Sequence, residues 1–219
     1  MLEAVIFDMD GVIINSEPLH YKANQDLFDK LGFSVPSTEY SNYIGISNEK
    51  MWEDLKSKYD LNEDLEDLAE KQRKHTNKFI QDNMNGNEIP GIKKILEELK
   101  DTKIKTAIAS SSTRDLIETV IKGYDLCEYF DVIVSGDDVK KGKPNPDIFI
   151  LAAEKLSVNI KKCVVIEDST NGVNGAKKSG AKCIGFNNPD SPGQNLRNAD
   201  IIINKFDVLN FDLINSLLK

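Results

Sequence analysis

Two aspartates, Asp8 and Asp10, close the first apolar run of the chain in the stretch VIFDMDG. Carboxylates are costly there, because each loses hydration at the end of a buried strand and the two repel one another. A cation or a catalytic task must compensate. Three further β-rich runs lead to chemically loaded residues: ASSST at 109–113, KKGKPNP at 140–146 and EDS at 167–169. Each alone has an ordinary reading, as an Asp-Gly turn, a Ser/Thr helix N-cap or a surface loop. All four at strand ends point to one site. The chemistry that fits is phosphoryl transfer. Asp8, Asp10, Glu167 and Asp168 offer the hard oxygen ligands that Mg²⁺ takes, and Mg²⁺ commonly shares a substrate phosphate. One carboxylate can serve as nucleophile and carry an aspartyl phosphate, while its neighbour moves the proton. Ser110, expected at a helix N-terminus, can bond phosphate oxygens, and Lys143 can neutralise charge on the transferring group. The only histidines are His20 and His75, so no Ser-His-Asp arrangement competes, and there is no P-loop glycine pattern.

These residues need a scaffold that gathers strand ends. Runs of strand length recur at 4–7, 104–110, 130–135, 163–167, 183–186 and 200–204. Helical spacing lies between most of them, as in Ile92, Ile95, Leu96 and Leu99, in Leu116, Ile117, Val120 and Ile121, at 147–156, and at 171–180 ending in Gly180. Alternation of this kind predicts a doubly wound parallel α/β sheet, which binds ligands at the carboxyl ends of its strands. Gly172 and Gly175 are spaced unlike a dinucleotide fingerprint and read as helix packing. From about 15 to 85 the rhythm breaks. Leu27, Phe28 and Leu31 suggest one helix, Met51, Trp52 and Leu55 another, and Leu61 to Ile80 a long polar one, with no strand run. This predicts a core of 1–14 and 86–219 with a helical cap of 15–85 inserted after the first strand. The plainer reading of the insert is a helical subdomain without a gating role.

Composition narrows the function classes. A net charge of −8 argues against a nucleic-acid binder that relies on phosphate neutralisation. Cys127, Cys163 and Cys183 match no metal-site spacing, and the latter two sit beside apolar runs as expected of reduced core thiols. Neither a signal peptide nor a membrane-length apolar stretch is evident, so the expectation is a cytoplasmic monomer acting on a small phosphorylated metabolite, with no nucleic acid or membrane partner.

Taken in order, DMDGVI at 8–13, ASSS at 109–112, KGKPNPDIF at 141–149 and IEDSTNGVNGAKKSGA at 166–181 resemble the motifs of the haloacid dehalogenase-like phosphotransferases. The resemblance covers essentially the whole chain and is to the branch of sugar-phosphate phosphatases and β-phosphoglucomutases, with SEPLH at 16–20 typical of the start of its cap. It implies Asp8 as nucleophile and Asp10 as general acid/base. It also implies a Mg²⁺ held by the Asp8 and Asp168 side chains and the Asp10 carbonyl, with Glu167 in support. Ser110, Ser111 and Lys143 would hold the phosphoryl group. His20 is similar in position to a histidine that the mutases use near the active site, though a helix-surface residue is the bland alternative. The cap loop reads Gly45-Ile46-Ser47-Asn48-Glu49, and Asn48 stands where the mutase pattern has an arginine. A second basic mutase position falls at or near Gln72, beside Lys71, Arg73 and Lys74, and Lys50 offers only a point charge. The expectation is therefore a Mg²⁺-dependent phosphatase. The alternatives are a β-phosphoglucomutase-like phosphotransferase and, from another class, a non-catalytic acidic domain that binds metal or a partner.

Overall fold

The β-rich runs form six strands: β1 (Ala4–Phe7), β2 (Lys105–Ala109), β3 (Val132–Val134), β4 (Cys163–Glu167), β5 (Lys182–Phe186) and β6 (Ile201–Ile203). The structure is a computed structural model that describes residues 1–43 and 48–219. All five strand pairings are parallel, in the order β3-β2-β1-β4-β5-β6. Both β1 and β4 are buried along their whole length, as a parallel sheet covered on two faces requires. Alternation along the strands divides their residues between the faces. Ala4, Ile6, Ala107, Val165 and Cys183 share one core with Ile148 and Phe149 of α7 (Asp147–Lys155) and Val173 and Ala176 of α8 (Thr170–Ser179). Their alternates Val5, Phe7, Ile108, Val164 and Ile166 are equally buried. The three-to-four spacing noted in the sequence becomes the buried stripes of α5 (Ile92–Asp101) and α6 (Arg114–Gly123). Gly180 ends α8 at φ 90°, the left-handed cap that glycine adopts without a Cβ penalty. The expected doubly wound sheet is the fold.

The chain divides into two compact units, Met1–Glu17 with Met84–Lys219 and Pro18–Asn83. In the second lie nearly all of α1 (Glu17–Lys30), then α2 (Ser37–Tyr40), α3 (Asn48–Lys58) and α4 (Leu65–Asn83). This unit has its own core of Leu27, Phe28, Trp52, Leu55 and Leu68, with the Phe28 ring edge-on to Trp52 at 5.8 Å. A neutral polar chain threads that core. Asn24 Nδ2 donates to the Tyr40 hydroxyl at 2.7 Å, Gln72 Nε2 to Asn24 Oδ1 at 2.9 Å, and Trp52 Nε1 to Gln72 Oε1 at 2.8 Å. Gly45, Ile46 and Ser47 of the expected cap loop lie outside the described residues. No helix among the described residues is long and apolar enough to cross a membrane.

Candidate active site

Strand register assembles the site. Phe7 pairs with Ile108 on one side and Ile166 on the other, and the Asp8 N–H donates to the Ile166 carbonyl at 3.0 Å. Asp8, Ser110 and the Glu167-Asp168 pair therefore emerge together at one edge of the sheet. The chain turns back immediately after β1, with the Val12, Ile13 and Ile14 amides all donating to the Met9 carbonyl at 3.2, 2.8 and 3.1 Å. Gly11 in this turn has φ 74°, and a Cβ on it would stand 1.9 Å from Asp168 Oδ2. Glycine alone meets both demands.

Lys143 lies at the centre of the charged groups. Its Nζ donates to Asp8 Oδ1 at 2.8 Å and to Glu167 Oε1 at 2.6 Å, and its side chain is 7% exposed. The second Glu167 oxygen accepts from the Ser169 N–H and hydroxyl, both at 3.0 Å. Ser169 Oγ in turn accepts the Gly172 amide at 2.9 Å and so caps α8. A Cβ at Gly172 would fall 1.8 Å from the Glu167 carboxyl group, so this glycine makes room for a carboxylate rather than for general helix packing.

Charge is out of balance. Oxygens of Asp8, Glu167 and Asp168 lie within 4.8 Å of one another, with one ammonium, that of Lys143, facing them among the described residues. Burial, then the Glu167 charge, push Asp8 up to about 8 in spite of Lys143. The same two causes raise Asp168 well above the usual carboxylate range. Burial alone would lower Lys143, but Asp8 and Glu167 outweigh it and hold the ammonium charged. A cluster of hard oxygens short of positive charge fits a divalent cation of the Mg²⁺ kind.

Asp10 projects toward the β2 end of the site. Its Oδ2 accepts the Ser112 hydroxyl at 2.7 Å and the Ser110 hydroxyl at 3.3 Å. Ser110 is fully buried and Ser111 is exposed. Helix α6 starts at Arg114 with Thr113 as its N-cap, so Ser110 stands in the preceding loop and not at the helix N-terminus that the sequence suggested.

The structure thus gathers Asp8, Asp10, Ser110, Lys143, Glu167 and Asp168. His20, half-buried on α1, and Asn48, exposed at the start of α3, belong to the other unit, as does Lys50 on α3. Gln72 is 4% exposed and committed to Asn24 and Trp52, which removes it as a position that grips an anion. Two residues were missed. Ser112 looks like its two serine neighbours in the sequence. Asn188, after β5, is buried, donates to the Gly11 carbonyl at 3.0 Å and accepts the Asp190 amide at 2.9 Å. The Asp190 carboxylate accepts from Asn15 Nδ2 at 2.7 Å, so this loop fastens both ends of the turn that carries Asp10. The signal available was position: NNPD at 187–190 is one more polar cluster at a strand end.

Comparison with known proteins supplies the family. The sequence model of the haloacid dehalogenase-like hydrolases matches residues 5–186. The chain is 35% identical to a phosphorylated carbohydrates phosphatase of Thermotoga maritima over 84% of each chain. It is 28% identical to the β-phosphoglucomutase of Bacillus subtilis over 97% of this chain and 94% of that one. In three dimensions it is similar to a family IA, variant 3 hydrolase of Entamoeba histolytica, with TM-score 0.87, 28% identity and 99% of both chains covered. A match spanning both halves of the sheet, together with phosphatase and mutase relatives, makes this chain an enzyme of the phosphatase and phosphotransferase kind, and it belongs to the haloacid dehalogenase-like hydrolases.

Proposed function

We propose that the protein is a Mg²⁺-dependent phosphatase of small sugar phosphates that works through a phosphoryl group carried on Asp8. The observation that carries this reading is a pair of carboxylates two residues apart, each held by different partners: Asp8 by Lys143, Asp10 by Ser110 and Ser112. Asp8 attacks phosphorus while Asp10 gives a proton to the departing sugar oxygen. Asp10 then takes a proton from the water that cleaves the Asp8–phosphoryl bond. Lys143 and Ser110 hold the phosphoryl oxygens, with Ser111 exposed beside them. The Asp8 and Asp168 side chains and the Asp10 carbonyl would hold Mg²⁺, with Glu167 in support. Bound there, Mg²⁺ supplies charge neutralisation at the phosphoryl group. The phosphorylated carbohydrates phosphatase of Thermotoga maritima supports the substrate class.

The likeness to the Bacillus subtilis β-phosphoglucomutase favours a second reading, transfer between two positions of one sugar. A mutase must keep hold of a bisphosphate while it reorients. Here Asn48 is neutral, and Gln72 is committed inside the helical unit. The test is to incubate the purified protein with a panel of sugar mono- and bisphosphates, with Mg²⁺ and with EDTA, and to follow phosphate. Phosphate release from several substrates, abolished by EDTA, is expected. Faster conversion of β-glucose 1-phosphate to glucose 6-phosphate than release of phosphate would establish the mutase instead.

A further inference from the structure

Of the two serine hydroxyls that reach Asp10 Oδ2, that of Ser112 is the nearer, and we infer that Ser112 is a positioning residue that keeps Asp10 in place for proton transfer; this rests on the proposed role of Asp10. The loop holding Ser112 does not need its hydroxyl to keep its shape. The Ser110 amide donates to the Val134 carbonyl at 3.1 Å, and the Gly136 amide to the Ser112 carbonyl, also at 3.1 Å. Gly136 packs so closely that a Cβ on it would lie 2.4 Å from the Ser111 carbonyl oxygen. With the backbone fixed by these contacts, the Ser112 hydroxyl is left to reach Asp10 Oδ2 at 2.7 Å, against 3.3 Å for Ser110.

Hydroxyl protons separate the two serines. Each has one proton to donate. Ser110 Oγ already accepts the Ser112 amide at 3.0 Å, so the direction of its remaining proton decides what it serves. Once Ser110 turns that proton to a phosphoryl oxygen, it no longer holds Asp10. Ser112 does. The loop thereby divides the work, with Ser110 for the phosphoryl group and Ser112 for the carboxylate that moves the proton.

Ser112→Ala should keep the fold and its melting temperature, because the loop backbone is anchored elsewhere. A hydrogen bond to a charged group corresponds to a loss of roughly 10–100-fold, expected in kcat with KM unchanged. The loss should be larger for a sugar phosphate than for nitrophenyl phosphate, whose leaving group needs no proton. Ser112→Thr, which retains the hydroxyl, should recover most of the activity. The deciding measurement is a double-mutant cycle: in an Asp10→Asn background, Ser112→Ala should cost little more. Full additivity, or a raised KM with unchanged kcat, would overturn the assignment and make Ser112 an independent substrate contact. If Asp10→Asn alone left turnover intact, the proposed mechanism itself would fall, a result distinct from either outcome of the cycle.

Discussion

Each unit of the molecule buries a polar cluster, and the two are built on opposite rules. In the helical unit, Tyr40, Asn24, Gln72 and Trp52 form a chain of neutral groups in which each amide oxygen meets a donor. In the α/β unit, Asp8, Glu167 and Asp168 set three carboxylates against Lys143. A satisfied neutral network rigidifies a core and asks for nothing more. A buried cluster short of positive charge is unfavourable alone, and the divalent cation proposed for it would supply the missing charge. Burial of polar groups therefore does not mark a site. Unbalanced burial does.

The largest expected effect breaks the charged cluster at Asp8, the proposed nucleophile. Asp8→Asn preserves shape but removes the attacking charge, and turnover should fall by roughly 10³-fold or more. The metal-free variant should be at least as stable as the parent, since a carboxylate raised to about 8 by burial and Glu167 has been replaced by a neutral amide. Phosphate release together with thermal melting tests both parts. Retained turnover would end the reading of Asp8 as nucleophile.

The neutral network should respond in the opposite way. Gln72→Ala leaves Trp52 Nε1 without its acceptor and Asn24 Oδ1 without its donor, both in a buried setting. Stability should drop by about 2–4 kcal/mol, while turnover of the folded enzyme changes less than about twofold. A large kcat loss at full stability would show that the two clusters do not divide structure from chemistry.

Why one cluster could be read from the chain and the other could not follows from the same contrast. Asp8, Asp10, Glu167 and Asp168 are charged residues at the ends of β-branched runs, so they stand out against burial, and Lys143 stands in the polar KKGKPNP connection after another such run. Asn24 and Gln72 are ordinary on a helix surface, and only packing turns them inward. The strands were legible for a local reason, since the central runs β1 and β4 are buried on both faces and so almost wholly apolar. The short helix α2 was not, because four residues carry no periodicity. Ser110, Ser111 and Ser112 are chemically identical, yet the first is buried, the second exposed and the third half-buried with the nearer hydroxyl to Asp10. That assignment comes from the close approach of Gly136, a contact distant in sequence. Asn188 carried only the signal of its position after a strand, and its bond to Gly11 shows what it holds.

Cation binding sharpens the comparison further. Mg²⁺ at about 100 times its Kd should stabilise the fold by about 2.7 kcal/mol, and Asp168→Ala should remove that gain. Its size should depend on pH. Asp8 has an ordinary value of 3.8 and a folded value of about 8, so the folded, metal-free protein holds a proton that the unfolded chain releases. The stability from that proton is complete below 3.8 and is lost as pH rises through about 8. The Mg²⁺-dependent rise in melting temperature should therefore grow toward the upper end of this window, where the cation no longer competes with the proton. A rise independent of pH would place the cation away from Asp8.

The smallest expected effect concerns Asn188, a neutral and satisfied side chain of the kind found in the helical unit, but set within the charged one. It bonds the Gly11 carbonyl directly behind Asp10, and Asp190 ties Asn15 on the far side of the same turn. If neutrality alone decides the role, Asn188→Ala should behave like Gln72→Ala on a smaller scale, with a stability loss of about 1 kcal/mol and unchanged turnover. The geometry favours a mixed result. Asn188 holds the Gly11 carbonyl while the Gly11 amide stays bonded to the Ile14 carbonyl, so release of the carbonyl allows the turn to move without unfolding it. A displacement on the order of 1 Å at a reacting group slows the reaction even where the broken hydrogen bond lies away from the chemistry. Asn188→Ala should therefore show the modest stability loss together with a severalfold fall in kcat at constant KM. Melting and steady-state kinetics on the same preparation distinguish the cases, and a stability loss with wild-type kcat would confine Asn188 to holding the fold.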